Sequence, residues 1–165
     1  PVDADASFSR TPGVVCAVMT ADCLPVLFTD RAGSVVAAAH AGWRGLLAGV
    51  LEATLAAMAC PAHEVLAWCG PAISRDAFEV GSEVRAAFVA HNPAAAAAFS
   101  PLPDGKWLAD LPGLARQRLL AAGVPDNQCV DSELCTVIER EQFFSYRRDG
   151  CTGRMASLIW LAPAV

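Results

Sequence analysis

Thr20-Ala21-Asp22-Cys23-Leu24-Pro25-Val26-Leu27-Phe28-Thr29-Asp30-Arg31-Ala32-Gly33-Ser34-Val35-Val36-Ala37-Ala38-Ala39-His40-Ala41-Gly42-Trp43-Arg44-Gly45 is the stretch whose reading decides the fold. Leu24 to Phe28 and Val35 to Ala39 are short apolar runs, and both read as strands. Asp30 to Gly33 between them carries turn residues, so the two runs form a hairpin. Past Gly42 the period changes. Leu46, Leu47, Val50, Leu51, Leu55 and Met58 recur at helical spacing, which predicts one helix over Trp43 to Met58, ended by Pro61.

Working outward, Val14 to Met19 reads as a strand behind Pro12-Gly13, and Val65 to Cys69 as another, closed by Gly70-Pro71. Helices are expected over Phe78 to Phe88 and Trp107 to Ala122, the second stopped by Gly123. Gln128 to Asp131 reads as a strand and Glu139 to Tyr146 as a short helix or turn. Met155 to Leu161 is apolar enough to be a central strand. Strands interleaved with helices, without strict βαβ alternation, imply a mixed sheet of α+β type, in one domain over 1–165.

Hydrophobic residues make up 55% of the 165 and charged ones 18%, so much of the chain is interior. Twelve Lys+Arg stand against 17 Asp+Glu; a net −5 offers no electrostatic footprint for nucleic acid or an anionic membrane. A small molecule or a protein partner is the alternative, with the oligomeric state unspecified. Seven cysteines are scattered, several inside apolar runs, as free thiols in a reducing cytoplasm would be. No run approaches the roughly 20 apolar residues of a membrane span.

Three histidines are present: His40, His63 and His91. His63 follows Cys60-Pro61-Ala62 and reads as a loop or cap residue; His91 precedes Asn92-Pro93 and reads as exposed. His40 ends an apolar strand among small residues, and is either a satisfied core histidine or a pocket group. Cys23 sits at a break between strands, one strand and one turn away, so the two can meet across neighbouring strands. Thiolate plus imidazole suits zinc, and equally a Cys–His nucleophilic pair. Arg44 opens a helix between glycines, while Arg147 and Arg148 lie in Ser145 to Gly150; guanidinium forks suit phosphate or carboxylate, or simply a solvated surface.

Four segments carry a family resemblance: Thr20 to Val26, Ala38 to Gly45, Gly70-Pro71-Ala72-Ile73, and Phe144 to Gly150 followed by Thr152-Gly153-Arg154-Met155. Together, in this order, they resemble the YfiH family, also called the laccase-domain, multicopper polyphenol oxidase or peptidoglycan editing factor family. The resemblance runs from about Ser9 to Leu161. It implies an α+β fold of mixed β-sheets sandwiched with helices, a zinc held by one Cys and two His, and purine nucleoside chemistry: phosphorolysis of adenosine, inosine, guanosine and methylthioadenosine, with deamination of adenosine.

Cys23 matches the cysteine ligand and His40 the second histidine. The other histidine of the family lies in a Gln-Val-His motif N-terminal to everything in this chain, which has no such motif, so a domain lacking an N-terminal segment is expected. For deamination, Asp22 is the candidate to move protons; for phosphorolysis, Arg44 with Arg147 or Arg148 are the candidates to hold phosphate. A trinuclear copper cluster needs more than three histidines, so copper is expected only as adventitious Cu2+. The alternatives are a cysteine hydrolase, with Cys23 as nucleophile and His40 as base, acting on peptidoglycan precursors, and an inactive interaction module.

Overall fold

The computed structural model describes residues 4–163. The predicted hairpin is present. Strand β3, Leu24–Asp30, pairs antiparallel with β4, Val36–Ala41, in the register Leu24↔Ala41, Pro25↔His40 and Thr29↔Val36. Around it a five-stranded sheet assembles in the order β1-β4-β3-β5-β9, with β1 Ala6–Ser9, β5 Val65–Cys69 and β9 Cys129–Asp131. The β5–β9 pair is parallel and the other three pairings are antiparallel, so the sheet is mixed as expected.

Both faces of the hairpin are covered, and the sequence shows why. Along Val36-Ala37-Ala38-Ala39 the side chains alternate. Val36 and Ala38 join Cys16 and Val18 on one side, while Ala37, Ala39 and Ala41 join Leu46, Leu51 and Met58 on the other. Alanine lets layers approach from both sides, and all of Ala37 to Ala39 are fully buried. The first layer is a two-stranded sheet of β2, Cys16–Thr20, and β10, Met155–Ile159. The second contains helices α1, Trp43–Ala48, and α2, Val50–Met58.

Four sequence expectations need correction. The single helix over Trp43 to Met58 is broken at Gly49, which adopts φ +94°, closes α1 and opens α2; a glycine supplies that conformation at little cost. Phe78 to Phe88 is not one helix: Glu79–Val80 form strand β6, and α3 runs Ser82–His91 after Gly81. Trp107 to Ala122 also divides, into strand β8, Trp107–Ala109, and α4, Leu111–Ala121. Asp110 caps α4 by accepting from the Gly113 N–H at 2.8 Å. With Phe99–Pro101 as β7, these short strands make a third sheet, β6-β8-β7.

The last strand is not central. β10 pairs only with β2, and Leu158 remains half exposed. The expected helix or turn at Glu139 to Tyr146 is a series of turns leading into a short helix α5, Tyr146–Asp149. All seven cysteines are free thiols.

Candidate functional site

The hairpin register creates the centre. With Leu24 opposite Ala41 and Pro25 opposite His40, Cys23 falls where the strands end and Gly42 turns toward α1. The Cys23 thiol and the His40 ring both lie against Gly42 and face each other across it. Gly42 is the space between them: a Cβ there would lie 3.0 Å from Cys23 Sγ and 3.7 Å from His40 Nε2. On the far side of the ring, His40 Nδ1 meets Asp5 Oδ1 at 3.2 Å. The His40 backbone N–H also donates to the Asp5 carbonyl at 2.7 Å.

This contact to Asp5 fixes the tautomer that leaves Nε2 facing Cys23, as outer carboxylates do for histidine ligands and for catalytic histidines alike. The neighbouring Cys23 thiol pushes the His40 pKa up to about 9, burial works against it, and Asp5 adds to the rise. Asp5 had no signal in the sequence. It is brought in by β1, whose Ala6 pairs with Ala39 and whose four residues lack a strand pattern.

Two clefts open on either side of Cys23 and Tyr146. One, of about 460 Å³, is lined by His40, Tyr146, Thr152 and Arg154 among others. The other, of about 300 Å³, is walled by Trp43, Ile73, Phe78 and Leu111, with Arg44 and Arg147 at its edge. Arg44 stacks on the Trp43 ring at 4.3 Å and Arg147 lies 5.6 Å from the Phe78 ring centroid.

The remaining expected site residues separate. Asp22 is buried at φ +90° with both carboxylate oxygens engaged: Thr136 Oγ1 donates at 2.7 Å and the Arg147 backbone N–H at 2.6 Å. Its carbonyl accepts from the Ile73 N–H at 2.9 Å. With one donor on each oxygen Asp22 ties the Cys23 turn to α5 and to Gly70-Pro71-Ala72-Ile73, and it also lines the cleft that holds Arg44.

Arg148 needs correction. Its guanidinium donates to the carbonyls of Thr136, Val137 and Phe143 and pairs with Asp149, which leaves no nitrogen for phosphate. Arg147 donates one nitrogen to the Glu79 carbonyl at 3.0 Å and keeps others toward the cleft. His63 and His91 are exposed and line neither cleft.

Cys23 and His40 fit a zinc ion by donor type, a soft thiolate and an imidazole nitrogen. Among the described residues no group of three His, Cys, Asp or Glu side chains converges to hold a metal, so the pair supplies two ligands.

Fold and site together define a class: an α+β sandwich with a thiol–imidazole centre between two cation-bearing clefts. The chain belongs to the family described as multi-copper polyphenol oxidoreductase laccase, which matches residues 1–162. It is 63% identical over 158 residues to the purine nucleoside phosphorylase YfiH of Escherichia coli strain K12, covering 96% of this chain and 64% of that protein. The purine nucleoside phosphorylase PA4543 of Pseudomonas aeruginosa is 56% identical over 159 residues, covering 96% of this chain and 65% of that protein.

Among solved structures, Neisseria meningitidis protein NMB0706 superposes with a TM-score of 0.94 at 61% identity, covering 98% of this chain and 66% of that one. YlmD from Geobacillus stearothermophilus gives 0.91 at 32% identity, covering 96% and 61%. The chain thus spans a little under two thirds of the length of these relatives.

Proposed function

We propose that this chain carries the Cys23–His40 part of a purine nucleoside phosphorylase centre that also deaminates adenosine. The observation that carries the reading is the Cys23–His40–Asp5 line, with Cys23 in the wall of two clefts that each hold a guanidinium. The names of the relatives point the same way. The substrates would be adenosine, inosine, guanosine and methylthioadenosine, with inorganic phosphate. Seven free thiols suit the cytoplasm, and among the described residues no helix is long and apolar enough to cross a membrane.

In phosphorolysis a phosphate oxygen bonds to ribose C1′ as the glycosidic bond to the purine nitrogen breaks; the base leaves with the electron pair and takes a proton. The apolar walls of Trp43, Ile73 and Phe78 exclude water, and Arg44, without a hydrogen bond or ion pair among the described residues, offers its fork for the phosphate. Arg147 is its second contact. In deamination a water oxygen bonds to C6 of adenine as the C6–N bond breaks, and the two protons of that water pass to N1 and to the amine, which leaves as ammonia. Zinc bound by Cys23 and His40 would lower the pKa of a water toward neutrality and polarise the group attacked.

The decisive experiment supplies adenosine and phosphate to the purified protein, with product analysis and metal quantification in parallel. Adenine with ribose 1-phosphate supports phosphorolysis, and inosine supports deamination. Neither product would overturn both. Arg44→Ala is expected to raise the phosphate KM by about tenfold or more, the loss of one charge-assisted contact, with metal content intact. Unchanged phosphate kinetics would remove Arg44 from this role.

Asp5 on His40 Nδ1 also favours a second reading, in which Cys23 is a thiol nucleophile, His40 its base and Asp5 the orienter. Chelation separates the two: it abolishes zinc chemistry and spares a thiol hydrolase.

A further inference from the structure

The seven free thiols are not equally placed. Cys16, Cys69, Cys129 and Cys135 are buried, and burial pushes the Cys69 thiol up to about 12, where it is inert. Cys60 is half-buried and lines neither cleft. Cys23 and Cys151 differ from the rest: both line the His40-side cleft, and Cys151 is exposed. The phosphorylase reading uses Cys23 and gives Cys151 no role.

Topology brings the two thiols into one cleft. The antiparallel β2–β10 ladder ends with Thr20 opposite Met155. Cys23 is the third residue past that pair on one chain and Cys151 the fourth on the other, so the Cys23 turn and the Cys151 loop leave the same ladder end side by side. Ala21, Gly153 and Arg154, the residues adjoining that end, line the cleft with them. A disulfide needs Cα atoms within about 7 Å and a set torsion, so one side must be able to adjust. Cys151 is that side. Gly150 before it holds φ +70°, and a Cβ there would meet nothing within 4 Å, whereas the Cys23 turn is tied down through the carboxylate of Asp22. His40, facing Cys23 across Gly42, is placed to take the thiol proton.

We propose that Cys23 and Cys151 are a redox pair, which a hydroperoxide links as a disulfide across the His40-side cleft. Hydrogen peroxide transfers one oxygen to Cys23 Sγ as its O–O bond breaks, leaving a sulfenic acid and one water. Cys151 Sγ then bonds to Cys23 Sγ as the S–O bond breaks, and the departing hydroxide takes the Cys151 proton to form a second water. The two thiols together lose the two electrons that the peroxide gains. The link removes the Cys23 thiolate, so neither a zinc ion nor a thiol nucleophile operates beside His40 until a reductant restores it. The proposal goes beyond the phosphorylase reading and stands without it.

The test treats the purified, fully reduced chain with a small excess of hydrogen peroxide, then alkylates it and maps its peptides by mass. One link is expected, Cys23 to Cys151, with two of the seven thiols lost and both recovered in dithiothreitol. Zinc affinity by calorimetry should fall by about tenfold or more in the linked form and return on reduction. Cys151→Ser, at an exposed position, is expected to bind zinc as the wild type does; under peroxide its Cys23 should advance to sulfinic acid, which dithiothreitol does not reverse. Wild-type protein in which Cys23 and Cys151 stay free, are oxidised separately or link to other cysteines would overturn the inference. So would a Cys151→Ser variant whose Cys23 recovers as completely as that of the wild type. A Cys23–Cys151 link in protein that binds no zinc would uphold the inference and sink the zinc centre.

Discussion

Gly42 shows how one residue governs the centre. Its φ of −64° and ψ of 160° are open to any L-residue, so alanine would bring no backbone strain there. The added methyl would instead press on Cys23 Sγ at 3.0 Å. Gly42→Ala is therefore expected to weaken zinc binding about tenfold or more, with a loss of stability of no more than about 1 to 3 kcal/mol, the usual cost of overpacking. Calorimetric titration with zinc checks this; an unaltered affinity would show that the gap has no role. His40 supports a second prediction. With its pKa raised to about 9, chiefly by the neighbouring Cys23 thiol, the ring carries a proton at neutral pH that a metal must displace. The sign follows: apparent zinc affinity rises by about tenfold per pH unit for that proton, and the gain levels off as pH passes the His40 pKa. Titrations from pH 6 to about 9.5 would show it, and Asp5→Asn, which weakens the hold on the proton, should move the plateau to lower pH.

The strap formed by the Asp22 turn, Thr136 and α5 is the element that turns a hairpin end into a site. Asp22 holds φ +90°, a conformation that disfavours side chains, because its carboxylate takes two donors and its carbonyl a third. The two contributions separate by substitution. Asp22→Ala loses the carboxylate bonds and keeps the strain, whereas Asp22→Gly loses the bonds and relieves it. Chemical denaturation should place the alanine variant about 1 kcal/mol or more below the glycine variant, with both below wild type. Equal stabilities would mean that the turn relaxes once the carboxylate is gone. The same elements mark what the sequence could reveal. The hairpin, its turn and the Cys23–His40 juxtaposition were legible because strand patterns flank a clear Asp-Arg-Ala-Gly turn. Helix starts were not, because Trp107-Leu108-Ala109 and Leu111 share an apolar rhythm that hides the strand-to-helix change; Asp110 followed by Pro112 was the capping signal that marked it. The role of Arg148 was illegible for a different reason: its partners are backbone carbonyls, and no side-chain pattern encodes those.

On the whole molecule the two faces of the five-stranded sheet are covered unequally. Helices bury the inner face over β3, β4 and β5, whereas the β2–β10 pair covers the outer face only over β4 and part of β3. Beyond it Leu66, Trp68 and Val130 stand 39%, 37% and 56% exposed on neighbouring β5 and β9, and line with Leu27 and Ile159 a groove of about 330 Å³. Strand β9 also ends the sheet, so its unpaired edge lies beside the same apolar surface. An apolar strip next to a free edge favours association in solution, since contact would remove both the exposed area and the unpaired backbone groups from water. The isolated 165-residue chain is therefore expected to show concentration-dependent association by sedimentation and to bind a hydrophobic dye in its folded state. Val130→Lys with Leu66→Lys should suppress both without altering zinc binding, because neither residue lines the Cys23–His40 clefts. Trp68 provides the internal reporter. Its ring also packs against Gly70, where a Cβ would meet it at 2.8 Å, so it is held rigidly at the edge of the strip. Its emission should shift to the blue on association and stay constant with concentration in the double variant. A wild-type chain that remains monomeric at high concentration and binds no dye would show that this face is solvated as it stands.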